Sequence, residues 1–465
     1  MLRWFLFWCG LAAVAAADRP NVLFLISDDM RVEPGCYGGR AKTPNLDRLA
    51  GEGGRFDRAY VQFPLCNPSR VSMLTGRYPT TTGVLGNRDR FRDEHPDWVT
   101  LPQCFRTQGY LSLASGKIFH GGIGDPPSWS DEAMAAVRVE RRPAQTEWPL
   151  PGDRARSKAE RSDRCIVLEG NGDGHPENRV ADRAIAFLRE HRDHRFFLVC
   201  GFVQPHSPPT APKRFYDWYR TEDIVLPGDF AARPAVPDGF PEGAIRPRNA
   251  DLFIGRDASE EEARRVIQAY LAAVSWTDWN IGRVLDELTR LGLEDDTIVV
   301  FWSDHGYQLG EKGKWSKAGS LFEMGTRVPF IVRVPGAAGN GRSCPRVVEA
   351  IDIYPTLAEL CGLELPEGLE GRSLGPLVED PSREWDHPAF SVWSEDGETL
   401  KGVAIRTEKW RYAEFSQPRK GRLLLDPADD PGERRNLADR PEHREAVDTL
   451  HRELEAFRSR RGLSE

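Results

Sequence analysis

Asn21-Val-Leu-Phe-Leu-Ile-Ser-Asp-Asp29 is the stretch that decides the fold. An apolar run of this length, with no polar alternation, predicts a strand covered on both faces, as inside a parallel sheet. Three further runs read the same way: Phe196-Phe-Leu-Val-Cys-Gly-Phe202, Thr297-Ile-Val-Val-Phe-Trp-Ser303 and Val328-Pro-Phe-Ile-Val-Arg-Val334. Helical patterns lie between them. The clearest, over 259–291, opens with the capping box of Ser259 and Glu262. Its apolar stripe runs from Val266 and Ile267 through Tyr270, Leu271 and Val274 to Ile281, Val284, Leu285 and Leu288. Strands alternating with helices predict an α/β fold, with a large, mainly parallel or mixed central sheet sandwiched by helices.

After Pro381 the pattern changes. Short strand candidates at 389–392, 402–406, 410–415 and 422–425, then a helix from Pro441, predict a smaller C-terminal subdomain with an antiparallel sheet. The expected organisation is a leader at 1–17, a large domain at 18–380 and the C-terminal subdomain at 381–465. Two stretches, 125–175 and 205–257, are polar or Pro/Gly-rich and read as long insertions over the sheet edge, where specificity often resides. The first carries seven arginines between 138 and 164. They could meet a polyanionic chain, but a solvated loop is the favoured reading.

The 465 residues are 40% hydrophobic and 29% charged, with a net charge of −8. That composition is globular, and it excludes a global basic field of the kind that binds nucleic acid or an anionic membrane. Arg3, the apolar residues 4–14 and Ala15-Ala16-Ala17 read as a signal peptide with its cleavage site. No later segment approaches the roughly 20 apolar residues of a membrane span. The expectation is export to the periplasm, the cell exterior or a lysosome-like compartment. Of eight cysteines, Cys9 lies in the leader. The others show no CxxC pair, and their odd number marks one thiol for a separate fate.

Two strands end in groups able to bind a cation, Ser27-Asp28-Asp29 and Ser303-Asp304-His305. Ligands of open α/β sheets collect at the carboxyl ends of strands. Three carboxylates and an imidazole there favour Ca²⁺, or Mg²⁺, over zinc. A third element is Pro64-Leu-Cys-Asn-Pro-Ser-Arg70, followed by Val-Ser-Met-Leu-Thr75 and Gly76. Pro68 suits a first helical turn and Gly76 a C-terminal stop. Cys66 then stands at a helix N-terminus, where anions are favoured, and Arg70 lies one turn on with its fork aimed back.

Cys66-Asn-Pro-Ser-Arg70 resembles the C-x-P-S-R maturation motif of the sulfatase family, and Leu74-Thr-Gly-Arg77 matches its usual continuation. The likeness extends from Arg19-Pro-Asn21 to Asp430-Pro-Gly-Glu433 and Asn436-Leu437. Within the family, Asp28-Asp-Met-Arg31, Lys117-Ile-Phe-His120 and Ser303-Asp-His-Gly-Tyr-Gln-Leu-Gly-Glu311 are similar to the iduronate-2-sulfatase type. Gln204-Pro-His206 departs from the commoner Lys-Pro-His and keeps the histidine.

The resemblance implies that a maturation enzyme oxidises Cys66 to formylglycine (3-oxoalanine), whose hydrate attacks the sulfur of a sulfated saccharide. It assigns the cation to Asp28, Asp29, residue 66, Asp304 and His305. Arg70 and Lys117 would hold charge on the hydrate and the sulfate. His120 would be the base that triggers sulfate release. His206 and Lys317 would contact the ester oxygen and protonate the leaving alcohol. Alternatives are a choline- or arylsulfatase, a phosphodiester or phosphonate hydrolase of the same superfamily, and a non-enzymatic sulfoglycan binder with an unoxidised Cys66.

Overall fold

The computed structural model describes residues 19–131, 157–415 and 421–461. The expected leader and the arginines from 138 to 156 lie outside these residues.

Strands β1 (Asn21–Asp28), β2 (Gly54–Tyr60), β3 (Leu111–Gly116), β4 (Ile166–Leu168), β5 (Phe196–Pro205), β6 (Thr210–Pro212), β7 (Thr297–Ser303), β8 (Arg327–Arg333) and β9 (Ser343–Glu349) precede Pro381. Seven of them make the central sheet, in the order β3-β5-β1-β7-β8-β2-β9. The four strands β3, β5, β1 and β7 run parallel. β8 is antiparallel to both β7 and β2, and β9 pairs with β2 in parallel. The sheet is therefore mixed. β4 and β6 form a separate two-stranded sheet.

The uninterrupted apolar run of β1 follows from cover on both faces. Val22, Phe24 and Ile26 join a core with residues of the helices Cys66–Thr75, Leu101–Thr107 and Ile353–Leu360. Leu23 and Leu25 point the other way, into a core built with the helices Pro44–Glu52, Pro176–Glu190 and Glu260–Arg290. With a period of two, every residue of such a strand meets a helix, and each large apolar side chain contributes about 1.5–3 kcal/mol by leaving water. The long helix Glu260–Arg290 begins at Ser259, with both hydrogen bonds of the capping box present.

A second sheet, β10 (Ala389–Ser394), β11 (Leu400–Arg406), β12 (Arg411–Phe415) and β13 (Arg422–Leu425), is wholly antiparallel. Val392, Val403, Ile405 and Leu424 pack on the helix Arg444–Ser459 through Val447, Leu450, Leu454 and Phe457. On the opposite face Trp393, Ala404, Phe415 and Leu425 meet Phe240, Ile245, Leu321 and Phe322.

A buried charge cluster holds this sheet against the larger one. Glu323 accepts from Arg411 Nη2 at 2.6 Å, Arg406 Nε at 2.9 Å and Tyr60 Oη at 2.8 Å. Glu433 accepts from the Glu323 backbone N–H at 2.7 Å and lies 2.8 Å from Arg411 Nε. The motif Asp430-Pro-Gly-Glu433 thus serves the packing of the two sheets.

Candidate functional site

The four parallel strands end on one edge, and each delivers chemistry there. Asp28 closes β1 and Asp29 follows it; Lys117 and His120 come just after β3; His206 follows β5; Asp304 and His305 follow β7. Lys317 returns from the segment beyond β7. Of these, Asp28, Asp29, Asp304 and His305 are wholly buried.

Hydrogen bonds lock the strand ends together. Asp304 N–H donates to Ser27 O at 3.1 Å, and Met30 N–H to Ser303 Oγ at 3.0 Å. Asp29 adopts a left-handed backbone, φ 66°. That conformation is uncommon outside glycine, although Asp tolerates it best among charged residues. Three bonds hold it: Asp29 N–H donates to Asp304 Oδ1 at 3.1 Å, Tyr270 Oη donates to Asp29 O at 2.7 Å, and Arg31 N–H donates to the same Tyr270 oxygen at 3.0 Å. Arg31 itself pairs with Glu33 and Glu311, each at 2.7 Å, and so ties the first motif to the Leu309-Gly-Glu311 segment.

Cys66 is the first residue of the helix Cys66–Thr75, so the helix starts two residues before Pro68. Gly76 closes it in the left-handed conformation, φ 63°, the geometry glycine takes at lowest cost. Among the described residues the cap Leu65 offers no side-chain bond to the helix N-terminus. Asn87 Oδ1 instead accepts from Asn67 N–H at 3.1 Å, and Asn67 Nδ2 grips Gly86 O and Asp89 O at 2.8 and 2.9 Å. Sequence reading missed this clasp, because neither Asn87 nor Asp89 carries a local signal.

Cys66 Sγ stands 3.5 Å from Asp28 Oδ1 and 3.3 Å from His305 Nε2. The imidazoles of His120 and His206 face the same sulfur. The ligand atoms of Asp28, Cys66, Asp304 and His305 lie within 4.8 Å of one another, and so do those of Asp28, Asp29, Cys66 and His206. His206, expected only at the ester oxygen, therefore also borders the acidic cluster.

Arg70 differs from its expected pose. Its Nε donates to Asp304 Oδ2 at 2.8 Å, and Nη1 donates to the carbonyls of Lys117 and Ile118. Only Nη2 has no hydrogen-bond partner among the described residues; it lies 3.8 Å from Asp28 Oδ2. Lys117 Nζ is ion-paired with Asp28 Oδ2. Lys317 Nζ donates to Asp29 Oδ2 at 2.9 Å.

The fields among these buried groups are strong. Burial drives the Asp28 carboxyl upward, yet Lys117, His206 and Arg70 outweigh it and hold the group below the usual carboxylate range. Burial pushes Asp29 up, and Asp304 up to about 6. Burial would lower His305, but Asp304, Cys66 and Asp29 carry it up to about 10. Burial disfavours the Cys66 thiolate, and Lys117, Lys317 and His305 overcome that and bring the thiol well down.

The donor set suits a hard divalent cation: carboxylate oxygens from two strand ends with an imidazole beside them. Asp29 Oδ1 is buried, accepts no hydrogen bond among the described residues, and lies 3.3 Å from His305 Nε2. An orphaned carboxylate oxygen of this kind is expected where an ion binds. All seven described cysteines are unpaired. No helix of the described residues is long and apolar enough to cross a membrane.

Acids, imidazoles and a cysteine-headed helix meet at the carboxyl edge of an α/β sheet, and comparison with known proteins gives the class and the family. The sulfatase family model matches residues 20–363, and the model of the N-sulphoglucosamine sulphohydrolase C-terminal region matches 310–460. The chain belongs to the sulfatase family, the sulfuric ester hydrolases. Iduronate 2-sulfatase of Homo sapiens is 32% identical, over 86% of this chain and 86% of that protein. Choline-sulfatase of Rhizobium meliloti is 31% identical, over 95% of this chain and 86% of that protein. Among solved structures, phosphonate monoester hydrolase of Agrobacterium radiobacter superposes with a TM-score of 0.75 at 23% identity, covering 95% of this chain and 96% of that one. That likeness concerns the fold.

Proposed function

We propose that this chain, after export, hydrolyses a sulfate ester on a saccharide, a 2-O-sulfated uronate being the leading candidate, once a maturation enzyme has converted Cys66 to formylglycine. Residues 18–380 form the catalytic domain and 381–465 the smaller subdomain. The observation that carries the reading is the meeting of Asp28, Cys66, Asp304 and His305, with ligand atoms within 4.8 Å, at the head of a buried helix. The similarity to iduronate 2-sulfatase supports the choice of substrate class.

Asp28, Asp29, residue 66, Asp304 and His305 would hold Ca²⁺ or Mg²⁺. Such a cation, when bound, draws charge from sulfate oxygens and favours an ionised oxygen nucleophile, which the oxidised residue 66 supplies. The chain's own side chains do the rest. Arg70 Nη2 and the Lys117 ammonium stabilise charge on the sulfate beside the buried carboxylates. His120 takes a proton when sulfate is released from residue 66. His206 and Lys317 face the ester oxygen and meet the charge, then the proton demand, of the leaving alcohol.

The test is sulfate release from a 2-O-sulfated uronate disaccharide, choline sulfate and an aryl sulfate, by wild type and by Cys66→Ala. Turnover of the saccharide by the wild type alone is the expected result. Equal turnover by Cys66→Ala contradicts the assignment of the nucleophile, and preference for choline sulfate contradicts the substrate class.

A further inference from the structure

Asp251 belongs to the Pro/Gly-rich stretch 205–257, where no periodicity or motif singles it out. In the fold it is buried, 5% exposed, beside the reacting groups. Its Oδ1 lies 3.6 Å from Lys317 Nζ, the same ammonium that donates to Asp29 Oδ2 at 2.9 Å. Lys158 Nζ, on a largely exposed side chain, lies 3.9 Å from Oδ1 and is bonded to Ala250 O. Asp251 Oδ2 is buried and has no hydrogen-bond partner among the described residues. A carboxylate retained to hold a fold together is normally bonded at both oxygens. This one faces ammonium charge and leaves an oxygen unused.

The backbone around Asp251 is built to keep it in place. Asn249 Oδ1 accepts from Trp315 N–H at 2.9 Å, Asn249 Nδ2 donates to Gly313 O at 3.3 Å, and Leu252 N–H donates to Trp315 O at 3.2 Å. The segment is thus stitched to the residues that lead directly into Lys317. Phe253 takes a left-handed backbone, φ 52°, an outlier for an aromatic residue, and its N–H donates to Asp163 Oδ1 at 2.6 Å. Strain of this sort persists only where the surroundings enforce it, and it gathers near functional sites.

We propose that Asp251 is a positioning residue for Lys317, holding its ammonium toward the oxygen through which the sulfate group leaves the saccharide. The inference rests on the sulfatase reading of the site and adds a residue to it. A long, flexible ammonium with one carboxylate partner pivots about that partner. A second carboxylate limits the pivot and balances the charge. The benefit grows with the basicity of the leaving oxygen, so it is large for a sugar alcohol and small for a nitrophenol, whose ring takes up the charge.

The experiment compares wild type, Asp251→Asn, Asp251→Glu, Lys317→Ala and the double variant Asp251→Asn/Lys317→Ala, all matured at residue 66. The substrates are a 2-O-sulfated uronate disaccharide and 4-nitrophenyl sulfate. With Asp251→Asn, kcat for the saccharide should fall about ten- to hundredfold, and kcat for the aryl ester by less than about threefold. Asp251→Glu, which keeps the charge, should recover most of the loss. In the Lys317→Ala background the Asn substitution should change kcat by less than about twofold, because the partner through which it acts is gone. Equal losses on both esters, additive losses in the double variant, or no loss at all overturn the proposal while leaving the sulfatase reading intact. A wild type that releases no sulfate from either ester overturns that reading, and this inference with it.

Discussion

Arg70 Nε donates to Asp304 Oδ2 at 2.8 Å with both side chains wholly buried, so the helix that presents Cys66 is bonded directly to the end of β7. Ser69, one residue earlier, donates from Oγ to the Asp304 carbonyl. The helix head and the acidic strand end are therefore one rigid unit, and a change in either displaces the other.

Removing one partner of a buried ion pair strands the other, and the loss is about 3–5 kcal/mol. Arg70→Ala should therefore lower the stability of the whole protein by that order as well as suppress turnover. Arg70→Lys should recover little of either, because a point charge cannot replace Nε and both Nη groups. Urea unfolding followed by tryptophan fluorescence measures the first effect. Unchanged midpoints for both variants contradict the structural role.

Cation binding should be visible without activity. Thermal unfolding after exhaustive chelation should occur at a lower Tm, and Ca²⁺ or Mg²⁺ should restore it. At a hundredfold excess over Kd the stabilisation is about 2.7 kcal/mol. Asp28→Asn and Asp304→Asn should respond weakly or not at all. A Tm indifferent to chelation and to added cation contradicts the assignment of these ligands.

The pH dependence of stability should carry the signature of Asp278. Burial pushes this carboxyl up to about 7, against the pull of hydrogen bonds from Leu46 N–H, Asn45 Nδ2 and Asn45 N–H. Its unfolded value is the ordinary one near 3.8. Between those values the folded state binds the extra proton, so stability falls as pH rises. The contribution is complete below about pH 4 and lost through about pH 7, an effect of up to about 4 kcal/mol. Asp278→Asn should flatten the curve in that window. An unchanged slope contradicts the prediction.

The docking of the small sheet should depend on Glu323. Glu323→Ala leaves the buried Arg406 guanidinium without its carboxylate and Arg411 with Glu433 alone, and about 3–5 kcal/mol of stability should go with it. Limited proteolysis should then cut first in residues 381–461. Cleavage that stays evenly distributed contradicts a local role.

The fold was legible where a residue's environment is written in its neighbours. The apolar run of β1, the capping box at Ser259 and the αL stop at Gly76 all act over a few residues. The sheet's mixed character was less so, because the reversal at β8 shows only in its pairing, with β7 just before it in the chain and with the far earlier β2. The candidate site residues, from Asp28 to Lys317, were picked from strand ends and motifs, and the fold brings them to one sheet edge. Their partners were not legible. Arg70's bond to Asp304, the Asn67–Asn87 clasp and Asp251 beside Lys317 are contacts between segments whose sequences do not announce each other. Tertiary structure alone creates them.

The account stands or falls on the chemical state of residue 66. Mass spectrometry of the peptide containing it, from protein produced together with a formylglycine-generating enzyme, measures that state directly. The predicted result is a residue that has lost its sulfur and carries an aldehyde, captured by a hydrazide or oxime reagent. An intact, alkylatable thiol at residue 66 in protein that nonetheless releases sulfate would contradict it.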